Sequence, residues 1–133
     1  MKELMEKVFS HEKLNVYKRS LDFVEFADKL LCKQKERISA CDQLDRASTS
    51  IPLNIAEGSG KFSSKDKSRY YDIARGSATE SAACLDVLLI KKKIETDENS
   101  KGKEILFEIV SMLIGLIKST SDRIYEDNET YNP

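Results

Sequence analysis

The chain has few of the residues that break helices and few that build catalytic centres. Its 133 residues include two prolines, five glycines, one histidine and no tryptophan. So few glycines and prolines argue against a β-sandwich or barrel, which needs many turns, and favour long helices. The single histidine, His11, cannot provide a pair of zinc ligands, and it does not lie beside Ser50, Ser77 or any of the cysteines in the sequence. We therefore expect no enzymatic activity, no metal site and no cofactor.

The chain also lacks an excess of either charge and any long apolar run. Its 22 basic and 23 acidic side chains nearly cancel, so the overall charge does not indicate nucleic-acid binding. The most apolar run, residues 105–117, is shorter than the ~20 residues that span a bilayer. The opening MKELMEKVF has no apolar core of a signal peptide. Cys32, Cys41 and Cys84 have no metal-binding spacing and are expected to be reduced thiols. These absences predict a soluble, cytoplasmic protein without membrane contact.

Apolar residues recur at helical spacing along four segments of the chain. Candidate caps mark two starts, because Asn15 precedes the first segment and Ser63, spaced as a cap from Asp66, precedes the third. Gly58 and Gly60 provide a stop for the second. The predicted helices cover about residues 15–33, 39–58, 64–92 and 103–125. Short polar links between them predict an all-α, antiparallel up-down-up-down four-helix bundle.

The bundle is expected to occupy residues 14–126, between two segments without clear periodicity. Residues 1–13 are an expected loose leader, and residues 127–133 are an expected acidic, disordered tail. The apolar arcs of the first and fourth helices are wider than one bundle core needs, and Ile114 widens the fourth further. We therefore predict that these two helices meet other copies of the chain, which makes the protein a homo-oligomer.

The stretch SIPLNIAEGSG, residues 50–60, departs from an ordinary helix sequence. Pro52 removes one intrahelical hydrogen bond, and the polar Asn54 and Glu57 lie where apolar residues are expected. One interpretation is a kinked core helix that ends at the glycines Gly58 and Gly60. The other is that Asn54 and Glu57 are held in the bundle for a specific contact.

The middle of the third helix, ARGSATESAA, consists almost wholly of small residues. A glycine in a helix interior costs about 1 kcal/mol against alanine, so we expect the second helix to approach closely there. The predicted close-packing positions are Gly58, Gly76 and Ser77. Polar residues in the two unusual segments would need partners if they were buried, because an unpaired buried charge costs several kcal/mol. The predicted polar cluster comprises Asn54, Glu57, Arg75 and Glu80.

The link between the second and third helices carries a cluster of positive charge. Its basic residues oppose Asp66 alone, and phosphate binding depends on clustered charge of this kind. The candidate nucleic-acid patch comprises Lys61, Lys65, Lys67 and Arg69. The alternative interpretation is that these residues are solvated helix ends.

The two unusual segments resemble the signature of a small bacterial four-helix-bundle family, named for reading frames in intervening sequences of 23S rRNA genes. The similarity covers roughly residues 14–120, including the opening LNVYKRSLDFVEFADKL. The signature residues are Ser50, Ile51, Pro52, Asn54, Ile55, Ala56, Glu57, Gly58, Gly76, Ser77 and Glu80. The resemblance implies a homopentameric ring and an RNA-related role, and it gives no indication of enzymatic activity. Related accessory proteins of diversity-generating retroelements form basic pentamers that engage a reverse transcriptase and nucleic acid.

Two functions are compatible with the sequence. The first is a non-catalytic oligomeric scaffold that binds RNA or an RNA-handling protein. The second is a protein-only adaptor that has no nucleic-acid contact. An enzyme would need Ser50, Ser77 or a cysteine as its nucleophile without a histidine base beside it in the sequence, and we do not expect one.

Overall fold

The described part of the chain forms a bundle of α-helices. The computed structural model describes the backbone of residues 7–131 and the side chains of residues 7–121. A short 3-10 helix, Ser10–Lys13, precedes helices α1 (Asn15–Cys32), α2 (Ser39–Ser59), α3 (Ser64–Ile90) and α4 (Thr96–Tyr131). No β-strand occurs within that range, so the all-α prediction is confirmed. None of its helices is long and apolar enough to cross a membrane.

Each of the four helices packs against two others. Helix α1 contacts α2 and α4, and α3 contacts the same two helices. Arg19, near the start of α1, donates to Glu108 at 2.8 Å. Lys33, just after the end of α1, donates to Glu98 at 3.0 Å. Early residues of α1 therefore meet later residues of α4, and these two helices are antiparallel.

Contacts between α2 and α3 set their directions in the same way. Ser50 bonds to Ser77 at 2.8 Å and Ser59 bonds to Tyr71 at 3.2 Å, so later residues of α2 meet earlier residues of α3. Helices α3 and α4 are joined by residues 91–95 and pack against one another, which requires the chain to reverse. These antiparallel pairs make α1 and α2 antiparallel as well, and an up-down-up-down order follows.

The core consists of one apolar stripe from each helix. Its largest fully buried apolar side chains are Phe23, Leu44, Ile51, Ile55, Leu85, Leu88, Leu106, Ile109 and Leu113. Pro52 lies buried inside α2, in keeping with a core helix. Ile73 of α3 lies outside this core and is 45% exposed.

Helix α4 begins at Thr96, well before the predicted start near residue 103. The Glu98 carboxylate accepts the backbone N–H of Glu95 at 2.8 Å, which satisfies a donor at the helix start. This bond lowers the pKa of Glu98, and Lys33 strengthens the effect from 3.0 Å. The start of α4 is not predicted from the sequence because its first residues, TDENSKGK, are polar and contain no apolar stripe.

Helices approach closely at Gly58 and Gly102, and not at Gly76. A Cβ atom at Gly58 would lie 2.7 Å from the Tyr71 ring and 3.1 Å from the Lys67 carbonyl oxygen. One at Gly102 would lie 2.6 Å from a leucine side chain of α3, whereas one at Gly76 would meet no atom within 4 Å. The expected approach of α2 at Gly76 does not occur, because Gly76 lies on the exposed side of α3.

The structure also bears on the two predicted end segments. Ser10 donates to the Ser59 carbonyl at 3.3 Å, and His11 lies half-buried against an aromatic ring of α1. This part of the predicted leader packs on the bundle, whereas residues 1–6 lie outside the described residues. The predicted boundary of the acidic tail, at residue 127, falls inside α4. The side chains of that segment lie outside the described residues.

Replacing Gly58 by alanine is expected to destabilise the bundle, because the added methyl group meets an aromatic ring and a backbone carbonyl. Overpacking of this kind costs about 1–3 kcal/mol, which outweighs the ~1 kcal/mol that alanine gains over glycine in a helix. Gly115→Ala is the matched control. A Cβ there meets no atom within 4 Å, so alanine should stabilise α4 by up to about 1 kcal/mol. Urea unfolding followed by circular dichroism measures both changes, and equal stability of the two variants would contradict the tight contact.

Candidate functional site

A network of hydrogen bonds links α2 and α3 near the midpoints of both helices. The hydroxyls of Ser50 and Ser77 lie 2.8 Å apart across the two helices. The Asn54 amide donates to the Ser50 hydroxyl at 2.8 Å and to the Ser50 carbonyl at 2.9 Å. Ser81, which is fully buried, donates to the Ser77 carbonyl at 2.9 Å. The Ser50–Ser77 bond therefore ties the two helices together, while the bonds of Asn54 and Ser81 lie within α2 and α3.

The predicted polar cluster is not assembled within the chain. Of its four members only Asn54 joins the serine network. Glu57 is exposed and pairs with Lys61 at 3.4 Å. Arg75 pairs at 2.8 Å with an aspartate one turn earlier on its own helix, and Glu80 is exposed. Both glutamates lie on the solvent side of the α2–α3 contact, where water solvates their carboxylates.

Residues 60–63 and the first turns of α3, together called the α2–α3 turn, bring basic and aromatic side chains together at one end of the bundle. The Lys61 ammonium and the Arg69 guanidinium each lie 5.0 Å from the centre of the Tyr70 ring, within cation–π range. Lys65 and Arg69 line one surface hollow. Phe62, next to Lys61 in the turn, is fully exposed. Three of the four predicted patch residues therefore share this end with two aromatic rings.

Lys67, the fourth predicted patch residue, has a structural partner instead. Its ammonium donates to the Ser59 carbonyl at 2.9 Å, in the last turn of α2, where backbone carbonyls lack helical partners. The Tyr71 hydroxyl lies 3.2 Å from the Ser59 hydroxyl. Lys67 is half-buried. It therefore holds the turn rather than offering its charge to a ligand.

Carboxylates only partly offset this positive end. Asp66 and Asp72 line the same hollow as Lys65, and Arg75 already pairs with Asp72 at 2.8 Å. Among the side chains that the structure describes, neither Lys65 nor Arg69 forms an ion pair within 4.0 Å. These two cations can therefore meet an anionic ligand without first losing an internal partner.

The opposite end of the bundle is more evenly balanced. Lys33 pairs with Glu98 at 3.0 Å, and Lys93 lies 3.8 Å from Glu36. Arg37 pairs with two aspartates of α2. Because many of its cations already form ion pairs with carboxylates, this end suits an anionic ligand less well than the α2–α3 turn does.

The histidine and the buried thiols serve packing. His11 stacks on the Phe9 ring and contacts the edge of the Tyr17 ring. Cys41 and Cys84 are buried, and burial raises the pKa of the Cys84 thiol, which makes it a poor nucleophile at neutral pH. Within the described residues, no group of three or more His, Cys, Asp or Glu side chains is placed to hold a metal ion.

Similarity to known proteins centres on one family. The model of the 23S rRNA-intervening sequence protein family matches residues 12–115 of the chain. A crystal structure of a protein of unknown function from the S23 ribosomal protein family of Bacteroides thetaiotaomicron has a similar fold, with a TM-score of 0.73 and 29% sequence identity. The match covers 77% of this chain and 98% of that one. No curated protein matches the chain.

Ser77→Ala is expected to lower the free energy of unfolding by about 1 kcal/mol, because it removes the hydroxyl that meets Ser50 across the helix pair. Ser50→Ala should cost more, since Asn54 also loses an acceptor. A double-mutant cycle measured by urea unfolding should give a coupling energy of about 0.5 kcal/mol or more. Strict additivity of the two single changes would contradict a direct bond between the hydroxyls.

Proposed function

This chain belongs to the 23S rRNA-intervening sequence protein family, and we propose that it acts as a non-catalytic, self-associating scaffold that binds RNA. The observation that carries the proposal is the α2–α3 turn, where Lys61, Lys65 and Arg69 gather at an end that also presents aromatic rings. Cations suit the phosphates of a nucleic acid, and aromatic faces suit its bases. The free thiols suit a reducing cytoplasm, where we place the protein.

RNA binding depends on local rather than overall charge. The net charge of −1 is an average over the whole chain, whereas the α2–α3 turn concentrates its cations at one end. For each phosphate of a single strand that a cation of the protein neutralises, the slope of log affinity against log salt concentration becomes steeper by about 0.7. A turn with so few cations would bind weakly alone, so several copies acting together would supply the affinity.

The outer face of α3 supports self-association. Side chains on this face recur at the alternating three- and four-residue spacing of a coiled-coil seam. This α3 seam consists of Ile73, Gly76, Glu80, Ala83, Val87 and Ile90, all of them exposed. The open space at Gly76 would let a second helix approach closely. Apart from Glu80 these residues are apolar, and exposed apolar surface favours contact with another copy, in which the Glu80 carboxylate would need a partner.

The faces predicted from the sequence, on α1 and α4, offer fewer exposed large apolar residues than α3 among the side chains that the structure describes. On α4, Phe107 is 75% exposed and Ile114 is 52% exposed, while Leu21 on α1 is 43% exposed. We propose that the α3 seam of one copy meets α4 of the next. Such a head-to-tail contact closes into a ring when the rotation between copies allows it. The homopentamer implied by the family resemblance is a ring of this kind, and it would repeat the α2–α3 turn five times.

A protein-only adaptor is the second candidate function, and the balanced overall charge favours it. In that case the cations of the turn would be solvated helix ends, and an exposed apolar face such as Phe107 with Ile114 would bind the target protein. A defined protein that co-purifies after nuclease treatment would support this candidate.

Self-association is tested by light scattering on the purified protein. Wild type is expected to be larger than a single chain, whereas Ile73→Lys combined with Val87→Lys should give a single-chain species, because the one carboxylate of the seam, Glu80, cannot pair both added cations when they are buried. Thr79→Lys is the control, since Thr79 is exposed on the same helix but lies off the seam. A double variant that stays fully assembled and helical would rule out the α3 seam as the interface.

RNA binding is tested with a labelled fragment of ribosomal RNA that contains loops and helices. Lys65→Ala combined with Arg69→Ala is expected to weaken binding and to lower the salt slope by about 0.7 for each lost phosphate contact. Lys35→Ala combined with Lys92→Ala, at the opposite end of the bundle, should leave both quantities unchanged. Fluorescence anisotropy between about 50 and 200 mM salt measures them. Absence of binding by wild type at the lowest salt would reject the RNA function and leave the protein-only adaptor.

A further inference from the structure

Phe62 is the most exposed large apolar side chain among those described, with a relative accessibility of 104%. It lies in the α2–α3 turn, just before Ser63, which caps α3. Burial of apolar surface is what lets a phenylalanine stabilise a fold, and Phe62 has none of it. The fold therefore does not account for an aromatic ring at this position.

The turn that presents Phe62 is held on both sides. The Lys61 N–H donates to the Gly58 carbonyl at 3.1 Å, and Ser63 accepts the Asp66 N–H at 3.1 Å. The backbone around the ring is therefore ordered before a ligand arrives. A preorganised site loses less conformational entropy on binding than a flexible loop would.

Charged side chains dominate the surroundings of the turn. Lys61 precedes Phe62 in the chain and shares the Tyr70 ring with Arg69. Arg69 in turn lines a hollow with Lys65, and of the two carboxylates in that hollow, Asp66 and Asp72, the second pairs with Arg75. An apolar protein surface placed on Phe62 would have to desolvate these charges, which is costly without partners. A nucleotide brings a flat base for the ring and a phosphate for the cations.

We propose that the α2–α3 turn binds single-stranded RNA, with an unpaired base stacked on Phe62 and neighbouring phosphates bound by Lys65 and Arg69. The proposal rests on the proposed function and names the form of RNA that this turn takes. Bases inside a duplex are already covered by their neighbours in the stack, so a ring on a short turn reaches a base face only in loops, bulges or single strands. In a duplex, therefore, only the phosphates can contact this site.

The test compares two labelled RNA probes by fluorescence anisotropy with the full chain. One is a non-self-complementary single strand of about 12 nucleotides, within the range of known single-strand site sizes, and the other is the same strand annealed to its complement. Phe62→Ala is expected to weaken binding of the single strand about fivefold or more and to leave duplex binding unchanged. Phe62→Tyr should retain most of the affinity, because it keeps an aromatic face. Phe9→Ala removes a ring that is 72% exposed outside the turn, and it should have no effect.

The salt dependence of RNA binding distinguishes the contribution of the Phe62 ring from that of the cations. Phe62→Ala should leave the salt slope unchanged, whereas Lys65→Ala should lower it by about 0.7 for a lost phosphate contact. If wild type binds neither probe, the RNA function fails and this inference fails with it. If wild type binds RNA but Phe62→Ala binds the single strand equally well, the function stands and stacking on Phe62 is refuted. Loss of a co-purifying protein from Phe62→Ala, with RNA binding unchanged, would assign the ring to a protein contact and would also refute the inference.

Discussion

The contact between α2 and α3 at Gly58 is the constraint on which the candidate functional end depends. Because Gly58 has no side chain, the Tyr71 ring packs against the backbone of α2, and its hydroxyl reaches Ser59 at 3.2 Å. The two helices are therefore close together where the chain reverses. Lys67 also donates to the Ser59 carbonyl at the C-terminal end of α2. A turn this short cannot cover the bundle end, so its basic and aromatic side chains, above all Phe62, face solvent.

Helix α3 performs two separate tasks on its two faces. Its inner face joins the core and carries Ser77 and Ser81 of the serine network, which leaves no polar group there in need of a ligand. Its outer face presents the α3 seam to water. Burial of apolar surface is worth about 25 cal/mol per Å², and the isolated chain leaves that free energy unrealised on this face. The serine network and the exposed seam therefore use different faces of one helix.

Local signals in the sequence were enough to locate most helix ends, and the failures have a common cause. The cap at Ser63 can be read from its spacing to Asp66, since both partners lie in one turn of chain. The start of α4 could not be found in this way, because the apolar stripe begins later than the helix does. The glycines show the same limit, for Gly58 and Gly76 both occur in helical segments rich in small residues. A Cβ atom at Gly58 would meet an aromatic ring, whereas one at Gly76 would meet open space.

The amino-acid pattern alone establishes four helices, an all-α class and the presence of more apolar surface than one core can hold, because these follow from helical periodicity within each segment. The packed bundle decides which of the apolar arcs faces inward and which polar residues meet. Asn54 reaches Ser50, while Glu57 and Glu80 face water. The physical reason is that the direction of a side chain depends on how each helix is rotated against its neighbours. That rotation is set by the close packing of all four helices together, and no single segment encodes it.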